Sequence, residues 1–140
     1  MSKYDVIFSA HCSKKMELID IIEKYRNGLS RLSIAVTGNT AHYIQQMTAA
    51  QVGVLKDGIS GGYLQIARLV ENEDVKIVSF LFDPCSLHMD ELGVKVLLKS
   101  CGVYNIPLAN NKATAEFILD RFFEVRMSTQ YRCPELLVTR

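Results

Sequence analysis

At 140 residues, with 49% of them hydrophobic, 22% charged and a formal net charge of +1, the chain has the size of one globular domain with a sizeable core. Near-neutrality gives no support for nucleic acid or an anionic membrane surface as the main partner, and neither is expected. No apolar run approaches the roughly 20 residues needed to cross a bilayer, so no membrane partner and a cytoplasmic setting are the expectation. Of the four cysteines, Cys12, Cys85, Cys101 and Cys133, no two form a Cys-x-x-Cys pair. They read as free thiols, and no metal site is expected.

Tyr4 to Ala10 reads as a first strand, stopped by His11-Cys12-Ser13. Ser13 is placed to cap a helix from Lys14 to about Arg26, with Ile19 and Ile22 facing inward. Asn27 and Gly28 then end that helix by the left-handed route. A short, partly β-branched run over Leu32 to Val36 is the second strand, breaking abruptly into Thr37-Gly38-Asn39-Thr40 before an amphipathic helix from Ala41 to Ala50. Val52 to Leu55 is a third strand and 56–62 a glycine-rich loop, followed by a helix from Tyr63 to about Asn72. Val75 to Phe82, nearly continuously apolar, has the character of a parallel strand covered on both faces. Asp83-Pro84 terminates it and holds a carboxylate at its C-terminal end. A loop with His88, Asp90 and Glu91 leads to a helix from about Gly93 to Cys101. A fifth strand over Tyr104 to Leu108, with Asn110 and Asn111 at its end, precedes a last long helix from Thr114 to Val125. Residues 1–126 read as one domain, and 127–140 as a tail packing on that domain or on a neighbouring subunit.

Five strands alternating with five helices predict an α/β fold: a three-layer, doubly wound, Rossmann-like domain with a five-stranded, mostly parallel sheet. In that architecture ligands bind beyond the C-terminal ends of the strands. Residues 11–15, 37–41, 57–63, 83–91 and 109–114 therefore belong on one rim. The turn after the second strand stands out there. Gly38 can take a backbone conformation closed to other residues, Asn39 or Thr40 can cap the next helix, and the amides that converge suit a phosphate. The same residues also make a plain capped turn.

Those loops carry a resemblance. Ala10-His11 followed by Lys15, Thr37-Gly38-Asn39-Thr40, Gly58, Gly61-Gly62, Phe82-Asp83-Pro84, Asn105-Ile106-Pro107, and Asn111 with Ala113-Thr114-Ala115 stand in the order and spacing of the methylglyoxal synthase family. The likeness covers about residues 4–125. It implies a methylglyoxal synthase-like fold and a carbon–oxygen lyase without a cofactor, acting on dihydroxyacetone phosphate. A carboxylate removes a proton beside the carbonyl, an enediolate forms, and phosphate leaves to give methylglyoxal. The implied partners are a small anionic, triose-phosphate-like metabolite and further copies of the chain in a ring-like homo-oligomer, a hexamer. The implied phosphate-holding residues are Lys15, Thr37, Gly38, Asn39, Thr40 and Gly58, a lysine charge beside helix-end amides.

The resemblance also implies an aspartate as general base directly after the Gly-Gly pair, and Tyr63 stands there. A phenol with a reference pKa of about 10 is a poor base at neutral pH. Cys12 replaces an aspartate, Gly93 stands at a later acidic position, and Asp57 replaces a small hydroxyl residue with a charge that repels phosphate. The catalytic candidates that remain are His11, Asp83 and His88, a histidine polarising the substrate oxygen and Asp83 serving as base or orienting a histidine. Asp83 before a proline also reads as a turn cap, and His88 as a solvated loop residue. The resulting expectation is a phosphate-binding member of the family with impaired catalysis. The alternatives are an active synthase, or related sugar-phosphate lyase or isomerase, using Asp83, and a partner-binding module that uses the tail around 131–134.

Overall fold

A computed structural model describes residues 2–47, 51–86 and 92–130. Five strands, β1 (Tyr4–Ala10), β2 (Ser33–Thr37), β3 (Gln51–Leu55), β4 (Val75–Leu81) and β5 (Leu108–Ala109), form one sheet in the order β3-β2-β1-β4-β5. Every pairing is parallel. The chain moves outward from β1 to β3, then returns to the other side of β1 for β4, so the loops after β1 and β4 part at a topological switch point. Alternating side chains of β1 divide the core between two faces. Val6 and Phe8 pack with Leu18, Ile22, Ile44 and Leu119 on one side. Ile7 packs with Ile66, Val70, Phe80 and Leu97 on the other. This is the doubly wound α/β fold, and in it the apolar run of β4 is buried on both faces.

The helices are α1 (Lys15–Lys24), α2 (Arg26–Leu29), α3 (Ala41–Met47), α4 (Tyr63–Glu71), α5 (Leu92–Val103) and α6 (Lys112–Gln130). In α1 the inward face is Leu18, Ile21 and Ile22. Ile19, expected inside, is half-buried, because the stripe is rotated by about one residue. Gly28 does not end α1 in a left-handed conformation. The helix breaks at Tyr25 and resumes as the single turn α2, which contains Gly28. Glycine is needed there for close packing, since an added Cβ would stand 2.7 Å from the Phe123 ring on α6.

The fifth strand is shorter and later than the sequence implies. Asn105 is left-handed at φ 56°, and the amides of Tyr104 and Ile106 bond back to Ser100 and Cys101 at 2.9 and 3.0 Å. The segment thus closes α5, and extended pairing is confined to Leu108 and Ala109. Asn111 caps α6 by accepting the Thr114 N–H at 2.9 Å. That helix runs unbroken to Gln130, four residues into the segment read as a tail. Residues 131–140 lie outside the described residues. None of the helices among the described residues is long and apolar enough to cross a membrane.

Candidate functional site

The ends of β1 and β2, the loop after β3 and the loop after β4 enclose an open cavity of about 550 Å³. Four of the five predicted rim segments meet there. The fifth, around Asn110 and Asn111, does not line the cavity, because β5 stands beyond β4 at the sheet edge. His11, Lys15, Thr37, Thr40, Gly58 and Asp83 all line it. His88 lies outside the described residues, as do Asp90 and Glu91. The backbone of Asn39 falls in the 3-10 turn 38–40 that leads into α3.

His11 follows β1 immediately, and its amide extends the sheet by bonding Leu81 O at 3.1 Å. Its ring is buried, edge-on to Phe80 with centroids 5.2 Å apart. The Asp83 backbone N–H donates to His11 Nδ1 at 2.8 Å. A nitrogen that accepts carries no proton, so the neutral ring carries its hydrogen on Nε2. Asp83 therefore orients the histidine, and it does so through its backbone and not its carboxylate.

The carboxylate has other work. Ser13 Oγ donates to Asp83 Oδ2 at 2.8 Å, and Cys85 N–H donates to Oδ1 at 3.0 Å, the bond that the turn-cap reading requires. The Ser13 hydroxyl, then the Cys85 amide, hold the Asp83 carboxyl below the usual carboxylate range, with the Lys14 charge helping and desolvation opposing. Ser13 is thus the site residue that the sequence conceals. Its position beside a helix start points to capping, yet Ser13 lies inside the turn Cys12–Lys14, and α1 has Lys14 at its N-cap with no side-chain cap bond.

A titration checks this geometry. A carboxyl with a depressed folded pKa stabilises the fold above its unfolded value, near 3.8, and loses that stabilisation as pH falls through the lower folded value. In Ser13→Ala the Asp83 midpoint, followed by carboxyl ¹³C shift, is expected to move up toward 3.8. An unmoved midpoint would refute the Ser13 bond as its main cause.

Ser9 Oγ and Thr37 Oγ1 share a buried 2.7 Å hydrogen bond that joins the ends of β1 and β2. Beyond Thr37, Gly38 has φ 50° and does not line the cavity. Asp57 covers it: a Cβ at Gly38 would collide with Asp57 Oδ1. Asp57 is fixed in turn by its own carbonyl, which accepts the Ser60 and Gly62 amides at 3.0 and 2.8 Å, a fold-back that Gly61 permits at φ 110°. The carboxylate expected to oppose phosphate does line the cavity, over the turn meant to hold it.

Tyr63 opens α4 and is 4% exposed. Its ring stacks on Phe80 with centroids 4.7 Å apart and fills the space where Gly58 would carry a Cβ. Gly58 is therefore constrained by a packing neighbour as well as by its place on the cavity wall. Among the described residues, no group of three or more His, Cys, Asp or Glu is arranged to hold a metal ion.

No family model matches the chain. Methylglyoxal synthase from Clostridium perfringens is 37% identical over 110 residues, covering 79% of this chain and 92% of that protein. The methylglyoxal synthase of Clostridium acetobutylicum is 36% identical over 118 residues, 84% of this chain and 81% of that protein. The crystal structure of methylglyoxal synthase from Elizabethkingia anophelis superposes with a TM-score of 0.71 at 28% identity, over 85% of this chain and 79% of that one. With the sheet order, the rim cavity and sequence relatives that agree over most of their length, the chain belongs to the methylglyoxal synthase family.

Proposed function

We propose that this protein is a ligand-binding member of its family, holding a small phosphate-bearing metabolite at the rim beside Lys15 and the Thr37–Thr40 turn, with the synthase reaction largely lost. The observation that carries the reading is the engagement of Asp83. Both of its oxygens accept hydrogen bonds, and the same bonds lower its basicity. A carboxylate so held is a weak proton acceptor for the carbon beside a carbonyl. Tyr63, directly after the glycine pair, is packed against Phe80 and offers no carboxylate. The cavity volume of about 550 Å³ lies within the range for small-metabolite sites.

An active synthase, or a related lyase or isomerase, is the second reading. Its support is the His11 tautomer, since an Nε2–H can donate to a developing oxyanion. Either way the working form is taken as a cytoplasmic homo-oligomer, up to the hexamer of the family resemblance. Exposed Met16 and Phe117 on α1 and α6 support a covered face.

Calorimetry with dihydroxyacetone phosphate, run beside a colorimetric assay for methylglyoxal, separates the two. Heat of binding without product is expected. Product formation that Asp83→Asn abolishes would overturn the binding-only reading, and silence in both assays would remove the phosphate cradle altogether.

A further inference from the structure

Two charged side chains on the cavity wall lack a counter-ion among the described residues. Lys15 is half-buried and Asp57 exposed, and both line the same space. Among the described residues neither enters an ion pair, with the other or with any third group. The remaining lining carboxylate, Asp83, is already satisfied by Ser13 and Cys85. A lysine without a carboxylate and a carboxylate without a cation, in one cavity but not on each other, describe a ligand with both signs of charge. The Asp57 backbone is pinned by Ser60 and Gly62, and its carboxylate rests against Gly38.

We infer that Asp57 is a specificity-determining residue that selects a zwitterionic ligand, a phosphate monoester bearing an ammonium group, over an equally sized ester with a neutral hydroxyl. The inference rests on the phosphate cradle proposed above. Lys15 answers the phosphate, and Asp57 answers the ammonium. For a ligand without the cation, Asp57 is a like charge beside the phosphate and weakens binding. The hydroxyls of Thr37, Thr40 and Ser60 around these two charges can serve the polar atoms between them.

The matched probes are 2-aminoethyl phosphate and 2-hydroxyethyl phosphate, titrated calorimetrically into the full chain and its Asp57→Asn variant. Exposed charge pairs are weak, so the expected wild-type preference for the amine is modest, about fivefold. In Asp57→Asn that preference is expected to vanish, with the hydroxyl ester now binding about fivefold tighter than it does to wild type. Asparagine is isosteric, and circular dichroism verifies that the variant is folded. Equal binding of both probes to wild type, or a preference that survives in Asp57→Asn, would overturn the role of Asp57 while leaving the cradle intact. Binding of neither probe to either protein would overturn both.

Discussion

Replacing Tyr63 with aspartate is expected to lower the unfolding free energy by about 3–5 kcal/mol, the range for truncating a buried aromatic ring, with a further loss from the buried charge. The ring is 4% exposed and stacks on Phe80, which itself touches the rings of His11 and Phe82 edge-on. Truncation therefore leaves a hole at the joint between the α4 face of the core and the cavity wall. A carboxyl placed there is desolvated, which raises its folded pKa above the unfolded value of about 3.9. The sign follows from linkage. Below about pH 4 both states bind the proton and the charge penalty is absent; it grows as pH rises toward the folded pKa and is complete above it. Tyr63→Ala supplies the reference, losing the ring without adding a titrating group. Urea unfolding of both variants between pH 4 and pH 8 should show a gap that widens with pH. A constant gap would mean that the new carboxylate reaches water through the cavity. In that case the methylglyoxal assay becomes informative, because a solvated carboxylate beside Gly58 is within the site and a gain of product would mark the surrounding residues as competent.

The framework was legible because its signals are local. The apolar runs at β1, β2 and β4 and the stop at Asp83-Pro84 are patterns of a few consecutive residues, and they correspond to strands and a strand end in the structure. Gly28 and Asn105 misled because the residue type has more than one use. Glycine near a helix end usually serves a left-handed cap, but here the Phe123 ring, 95 residues away in sequence (123 − 28), requires it. Asn105 looked like part of a strand beside Ile106 and Leu108, whereas its left-handed backbone closes a helix. Neither fact is visible without the packing partner.

The site divides along the same line. That His11, Lys15, Thr37, Thr40, Gly58 and Asp83 gather on one rim followed from topology alone. How they are connected did not. The Asp83 amide, not its carboxylate, orients His11, and Ser13 reaches 70 residues along the chain to hold the carboxylate. Such bonds depend on distances across the switch point, which no spacing rule encodes. Asp57 is the instructive case. Its charge was legible as unfavourable to phosphate, but its position over Gly38, where a Cβ would collide with its carboxylate, was not.

Lys15→Ala should separate the site from the scaffold that carries it. Lys15 is the first residue of α1, where a positive charge opposes the helix dipole. It forms no ion pair among the described residues that would offset this; Glu17, the acidic residue of that first turn, pairs with Lys14 at 3.3 Å. Removing the charge should thus leave the fold unharmed or stabilise it by about 0.3–1 kcal/mol, a change readable by thermal unfolding. Binding of a phosphate monoester should move the other way. A hydrogen bond to a charged partner contributes about 1.5–3 kcal/mol, so the dissociation constant is expected to rise by about 10- to 150-fold. Lys15→Met, which keeps most of the aliphatic length, should lose affinity to the same degree if charge and not packing is responsible. Raising the salt concentration should weaken wild type while affecting neither variant further. A fold left no weaker together with a ligand lost would mark Lys15 as a residue whose role is binding. Unchanged affinity in Lys15→Ala, or a loss of stability in its place, would instead make Lys15 an ordinary structural residue and leave the cavity without a cation to attract its ligand.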